Sequence, residues 1–125
     1  MEISMQTRPF NKMRYPTAGD FLYHPGIDLF RYMIAEMKET DYEALIFLHE
    51  FIESYLCWKA GIREEAITAF DIAFEKSGAD GEPGDSKDAP YYSQHQIATK
   101  FEKKFAKEIG VSWKKYDKAI NTLFE

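Results

Sequence analysis

Residues 42 to 58 restrict the fold of this chain more than any other stretch, because they read as a helix with almost no solvent face. On a wheel of about 100° per residue, Phe47, Phe51, Tyr55, Leu48, Ile52 and Leu45 sweep through one half of the circumference without a break. Tyr42, Ile46 and Cys57 occupy much of the other half. A helix this apolar is a central element with others packed around it. Its one polar window holds His49, Glu50 and Glu53, interleaved with apolar neighbours.

The rest of the chain supplies the surrounding elements. Thr40 or Asp41 is placed to cap the central helix, expected over residues 42–59, and Gly61 to end it. A second helix is expected over 63–76, stopped by Ser77-Gly78. A third runs over 90–109, with Asp88 as cap and Pro90 in its first turn. The last spans 113–123 behind Ser112. Between the second and third helices, residues 78–88 carry three Gly, one Pro and four acids and read as a surface loop. Before the helices, Pro25-Gly26 separates two apolar, aromatic runs, 20–23 and 29–35, as the turn of a hairpin does. A helix from Asp28 is the alternative for 28–37, since Met33, Ala35, Glu36 and Met37 suit one. The expectation is one domain over 1–125, mainly α with a small N-terminal β-hairpin (α+β): an irregular and hairpin region to residue 40, then a helical core over 41–125.

Composition narrows the function classes. Net charge is −5, so there is no general basic field to draw in phosphate backbones, and nucleic acid is a poor candidate partner despite the local Lys100, Lys103, Lys104 and Lys107. The single cysteine, Cys57, excludes an internal disulfide and a cysteine-based zinc cluster. With no apolar leader in the first ten residues and no membrane-length apolar run, the expected setting is cytoplasmic, away from membranes.

The polar window carries the chemistry. His49 and Glu53 stand at i and i+4, one above the other, and offer an imidazole nitrogen and a carboxylate oxygen to one ion. Glu50 points aside, as the general base does on the HExxH helix of zinc peptidases, although a glutamate replaces the second histidine here. On the third helix, His95 and Glu102 lie two turns apart at the edge of an apolar stripe of Ile97, Phe101 and Phe105. A buried carboxylate such as Glu102 needs a proton, a cation or a metal beside it. Helix bundles build metal sites in this way, from inward-facing Glu and His on neighbouring helices. Asp71 and Glu75 stack at i, i+4 on the second helix as alternative or supporting ligands, with Glu64 expected in solvent.

Five stretches of the chain resemble an uncharacterised family of small phage and prophage-associated bacterial proteins. They are Arg14-Tyr15-Pro16-Thr17 with Gly19-Asp20; His49-Glu50-Phe51-Ile52-Glu53; Phe70-Asp71 with Phe74-Glu75; Glu82-Pro83-Gly84-Asp85; and Ala89-Pro90-Tyr91 with His95. The resemblance implies a phage or prophage setting and no particular activity.

Three functions remain open from the residues. The first is an accessory protein for an unidentified protein partner or in a homo-oligomer, with or without a structural metal, presenting Tyr92, Trp113 and Tyr116 as surface aromatics. The second is a small metal-dependent hydrolase similar in its helix to minimal zinc peptidases, acting on an extended or small substrate, in which His49, Glu53 and His95 bind zinc, Glu50 activates water, and Glu102 or Asp71 orients a ligand. The third is a magnesium-dependent nucleotide pyrophosphatase using Glu50, Glu53, Asp71 and Glu75, against which stands Thr68 where a further Glu is needed. Mixed His and carboxylate donors suit zinc, iron or manganese alike.

Overall fold

The computed structural model describes residues 1–125. In chain order the elements are β1 (Glu2–Arg8), β2 (Gly19–His24), β3 (Leu29–Ala35), α1 (Thr40–Ala60), α2 (Glu64–Ser77), α3 (Tyr92–Glu108) and α4 (Trp113–Leu123). The expected mainly α architecture with a small N-terminal sheet is what the chain adopts, and residues 29–35 are strand. β2 and β3 form the hairpin, antiparallel with Phe21 opposite Tyr32, joined through a short 3-10 turn at Pro25–Ile27. A third strand joins them. β1 lies parallel to β3 on its other edge, Ile3 opposite Phe30, giving the order β1-β3-β2. Its sequence, Glu-Ile-Ser-Met-Gln-Thr-Arg, has no clear inward face, and Ile3 and Met5 are exposed, so the usual alternation signal of a half-buried strand is missing.

β3 is the central strand and is accordingly apolar: Phe30, Tyr32, Met33, Ile34 and Ala35 are all buried. α1 lies on this sheet. Tyr32 packs edge-on against Phe47, and its hydroxyl meets Ser54 Oγ at 2.7 Å, satisfying both buried oxygens. One core joins the sheet to α1, α2, α3 and α4 through Phe30, Leu45, Ile67, Ala106 and Tyr116. Gly61 and Gly78 end α1 and α2 in the left-handed region, at φ 75° and 72°, where a side chain would be strained.

Side-chain caps are fewer than the sequence suggests. Ser112 caps α4, its oxygen accepting the Lys115 N–H, but α1 begins behind Glu39 and α3 behind Tyr91, neither with a side-chain cap. A larger correction concerns the face of α3. The stripe that turns inward is His95, Ala98, Glu102 and Ala106, whereas Ile97, Phe101 and Phe105 are each more than two-fifths exposed. Two small and two ionisable residues face α1 because the alanines permit close approach while the ionisable pair is satisfied across the interface. Tyr116, expected at the surface, is fully buried against Glu102. No helix is long and apolar enough to cross a membrane.

Candidate metal centre

α1 and α3 pack side by side, and His49 and Glu53 from one meet His95 and Glu102 from the other. All four side chains are buried. His49 Nδ1 lies 2.7 Å from Glu102 Oε1, and Tyr116 donates its hydroxyl to the other oxygen of the same carboxylate. With its Nδ1 proton given to Glu102, His49 presents the Nε2 lone pair to the opposite side. There it faces Glu53 Oε2 at 2.9 Å and His95 Nδ1 at 3.2 Å, while His95 Nδ1 is 2.8 Å from Glu53 Oε2. Three electron-rich atoms this close require a cation between them, either protons or a metal.

The triangle fits a metal. With sides of 2.8, 2.9 and 3.2 Å, a point roughly 1.2 Å above its plane lies about 2.1 Å from each corner, the zinc–nitrogen distance. His49, Glu53 and His95 can therefore hold an ion as three ligands on one face. The Glu102 carboxylate behind His49 supplies the second contact that fixes a ligating imidazole's tautomer and ring orientation.

Without a metal, protons fill the gap. Burial raises the Glu53 carboxyl, but the hydrogen bonds and charge of His49 and His95 override it and hold it at about 2. Burial lowers both imidazoles, yet Glu102 and Glu53 keep His49 well above its ordinary value, and Glu53 and Glu82 push His95 to about 10.

These groups open onto a cavity of about 390 Å³, and each of the five stretches singled out in the sequence supplies part of its wall. Glu50 is in that wall, half-buried and pinned by β2: a Cβ on Gly19 would lie 2.7 Å from its Cγ and Oε1. Burial, then the neighbouring Glu53 charge, raises its carboxyl well above the usual range. Asp71 also faces the cavity but belongs to a different network. Tyr15 donates to its Oδ2 at 3.1 Å and Tyr91 to its Oδ1, and burial lifts its carboxyl to about 6. Glu75 is exposed. Asp71 and Glu75 thus stand outside the group formed by His49, Glu53 and His95. Glu64, expected in solvent, is half-buried and accepts the Tyr23 backbone N–H at 2.8 Å, which covers part of the open edge of β2.

The loop contributes what the sequence missed. Most of 78–88 is exposed, but Gly84 is buried against the His95 ring, and a Cβ there would lie 2.3 Å from Nδ1. Glu82 Oε2 and Asp85 Oδ1 stand 3.2 and 3.3 Å from His95 Nε2. Burial raises Glu82, but the His95 charge beside it prevails and lowers it. The available signal was the spacing of two acids three apart across Pro83-Gly84, which a 3-10 turn over Pro83–Asp85 brings to one side.

Protein-family models, curated proteins and solved structures were all compared with the chain, and none matches it.

Proposed function

We infer that the protein is a metal-dependent hydrolase in which His49 Nε2, Glu53 Oε2 and His95 Nδ1 bind a divalent transition ion. The observation that carries the reading is the convergence of these three buried atoms within 3.2 Å at the wall of a cavity. Three protein ligands leave coordination positions for water and substrate, whereas structural zinc sites close all four. An ion held there would supply Lewis acidity and would acidify a water in the open position. Glu50 would accept that water's proton: it is next to His49 in sequence and lines the same cavity, and burial, then the Glu53 charge, raises its carboxyl. Glu102 holds His49 in its ligating tautomer, and Tyr116 holds Glu102. Asp71, tied to Tyr15 and Tyr91, is placed to contact substrate polar groups from the cavity wall.

The second reading is an accessory protein whose metal only braces α1 against α3, favoured by the burial of all three donors. A two-stage experiment separates them. Chelator-stripped protein is reloaded with zinc, manganese or iron, and ion retention is compared for wild type and His49→Ala. The loaded protein is then assayed on chromogenic amide and ester panels beside Glu50→Gln. Retention lost in His49→Ala, with turnover lost in Glu50→Gln while the ion stays, supports the hydrolase. Retention without any turnover favours the accessory protein. No retention by wild type rules out both metal readings.

A further inference from the structure

We propose a second divalent-cation site on the opposite side of His95, formed by His95 Nε2, Glu82 Oε2 and Asp85 Oδ1. The two histidines of the inner site are treated differently by the fold. His49 turns its rear nitrogen onto one carboxylate at 2.7 Å, a direct hydrogen bond. His95 Nε2 has two carboxylate oxygens, at 3.2 and 3.3 Å, and is aligned with neither. It makes no hydrogen bond although its side chain is only 7% exposed. A single N–H can satisfy one acceptor, so its proton cannot pair with both carboxylates, and the buried nitrogen itself is left without a partner. A divalent cation satisfies both. Ligand atoms held at about 2.0–2.2 Å by one ion lie about 2.8–3.6 Å apart for angles between octahedral and tetrahedral, and the two observed separations fall within that range.

The supports of the site are in place. The 3-10 turn at Pro83–Asp85 orients the two carboxylates together, and Gln96 Nε2 donates to Asp85 Oδ1 at 3.0 Å. Gly84 lets the loop backbone lie directly on the ring. Glu82 and Asp85 are about half exposed, so the outer ion enters from solvent and binds less tightly than the inner one. Mixed nitrogen and oxygen donors suit zinc or manganese. When both sites are filled, the Nε2 proton passes to solvent and the imidazolate joins the two ions, one on each nitrogen.

The test is a count of bound zinc. Stripped protein is titrated against a chromogenic chelator, and retained zinc is measured after desalting. Wild type is expected to hold about two equivalents, the second at least roughly tenfold weaker. The double variant Glu82→Gln/Asp85→Asn, at exposed positions that leave the fold intact, is expected to keep only the tight one. Glu53→Gln is expected to keep only the weak one. One equivalent in wild type, unchanged in the double variant, overturns the outer site and leaves the two acids as ion-pair partners of His95. No zinc in wild type overturns the outer and inner sites together. One equivalent that the double variant loses and Glu53→Gln retains supports the outer site and overturns the inner.

Discussion

The two halves of the site are built by different means. On the α1 side, His49 and Glu53 share one helix turn, Glu102 reaches across from the neighbouring helix, and Tyr116 closes the network from α4. Every member is buried and each contact is between regular elements. On the other side, His95 is also on a helix, but its rear partners Glu82 and Asp85 come from an exposed loop, and only Gly84 of that loop is buried against it. The difference teaches where stability and where adaptability lie. A helix-held network is ordered by folding itself, so losing one member leaves its partners charged and unpaired. A loop-held pair can turn to water, so its loss costs the fold little and is felt mainly by a ligand.

The largest effect expected from this comparison is at His49. His49→Ala leaves Glu53 with one imidazole partner and Glu102 with only Tyr116, both in the interior. Removing one member of a buried ionic network costs about 3–5 kcal/mol. Chemical denaturation of the metal-free protein should show a loss of that size. A loss below about 1 kcal/mol would mean that water reaches the α1–α3 interface and that the two halves do not differ.

Titration sharpens the same contrast. Glu53, held at about 2 against an ordinary 4.5, contributes stability that is present above 4.5 and lost as pH falls through 2. His95, held at about 10 against 6.5, contributes stability fully present below 6.5 and lost as pH rises through 10. The two windows overlap between 4.5 and 6.5, where the metal-free melting temperature should peak. A bound ion occupies the lone pairs that these protons hold. The rise in melting temperature on adding zinc should therefore be larger at about pH 8 than at about pH 6. Equal increments at both pH values would indicate an ion bound elsewhere, away from the imidazoles.

Much of this arrangement was legible in the sequence. The i, i+4 pairing of His49 with Glu53 follows from helix geometry, and the apolar girth of α1 places that pair in the interior. The inward turn of His95 was legible only by its position on the edge of a stripe. The stripe itself misled, because Ile97, Phe101 and Phe105 remain substantially exposed while Ala98 and Ala106 are sealed. Close helix packing selects small side chains, and a hydrophobicity pattern does not register that choice. The loop was illegible for a different reason. Gly84 is set by the flat face of a ring that arrives from eleven residues along the chain, and local pattern carries no record of that contact. β1 was missed because an edge strand with exposed Ile3 and Met5 shows no buried face.

Gly84→Ala is the next test, since it drives a methyl toward the His95 ring, where the Cβ would lie 2.3 Å from Nδ1. Either the loop backs away or the ring rotates. Overpacking of this kind costs about 1–3 kcal/mol. A loop that can retreat puts the cost at the low end. Zinc affinity should fall by more than stability alone accounts for, because Nδ1 is displaced from the other two donors. Unchanged affinity with unchanged stability would show that the loop yields without disturbing the ring.

The smallest effect separates the halves most directly. Glu82→Gln/Asp85→Asn removes two carboxylates that stand within 3.3 Å of a buried imidazole, which on distance alone resembles the loss of Glu102. Yet both side chains are about half exposed, and ion pairs in that position contribute about 0–1 kcal/mol. His95 also retains Glu53 on its other nitrogen, at 2.8 Å. The metal-free double variant should therefore unfold within about 1 kcal/mol of wild type, whereas Glu102→Gln, which breaks the buried pair, should cost several times more. If the two variants cost the same, the loop is as much a part of the folded core as α1 and α3, and the rear of His95 is closed to a second ion.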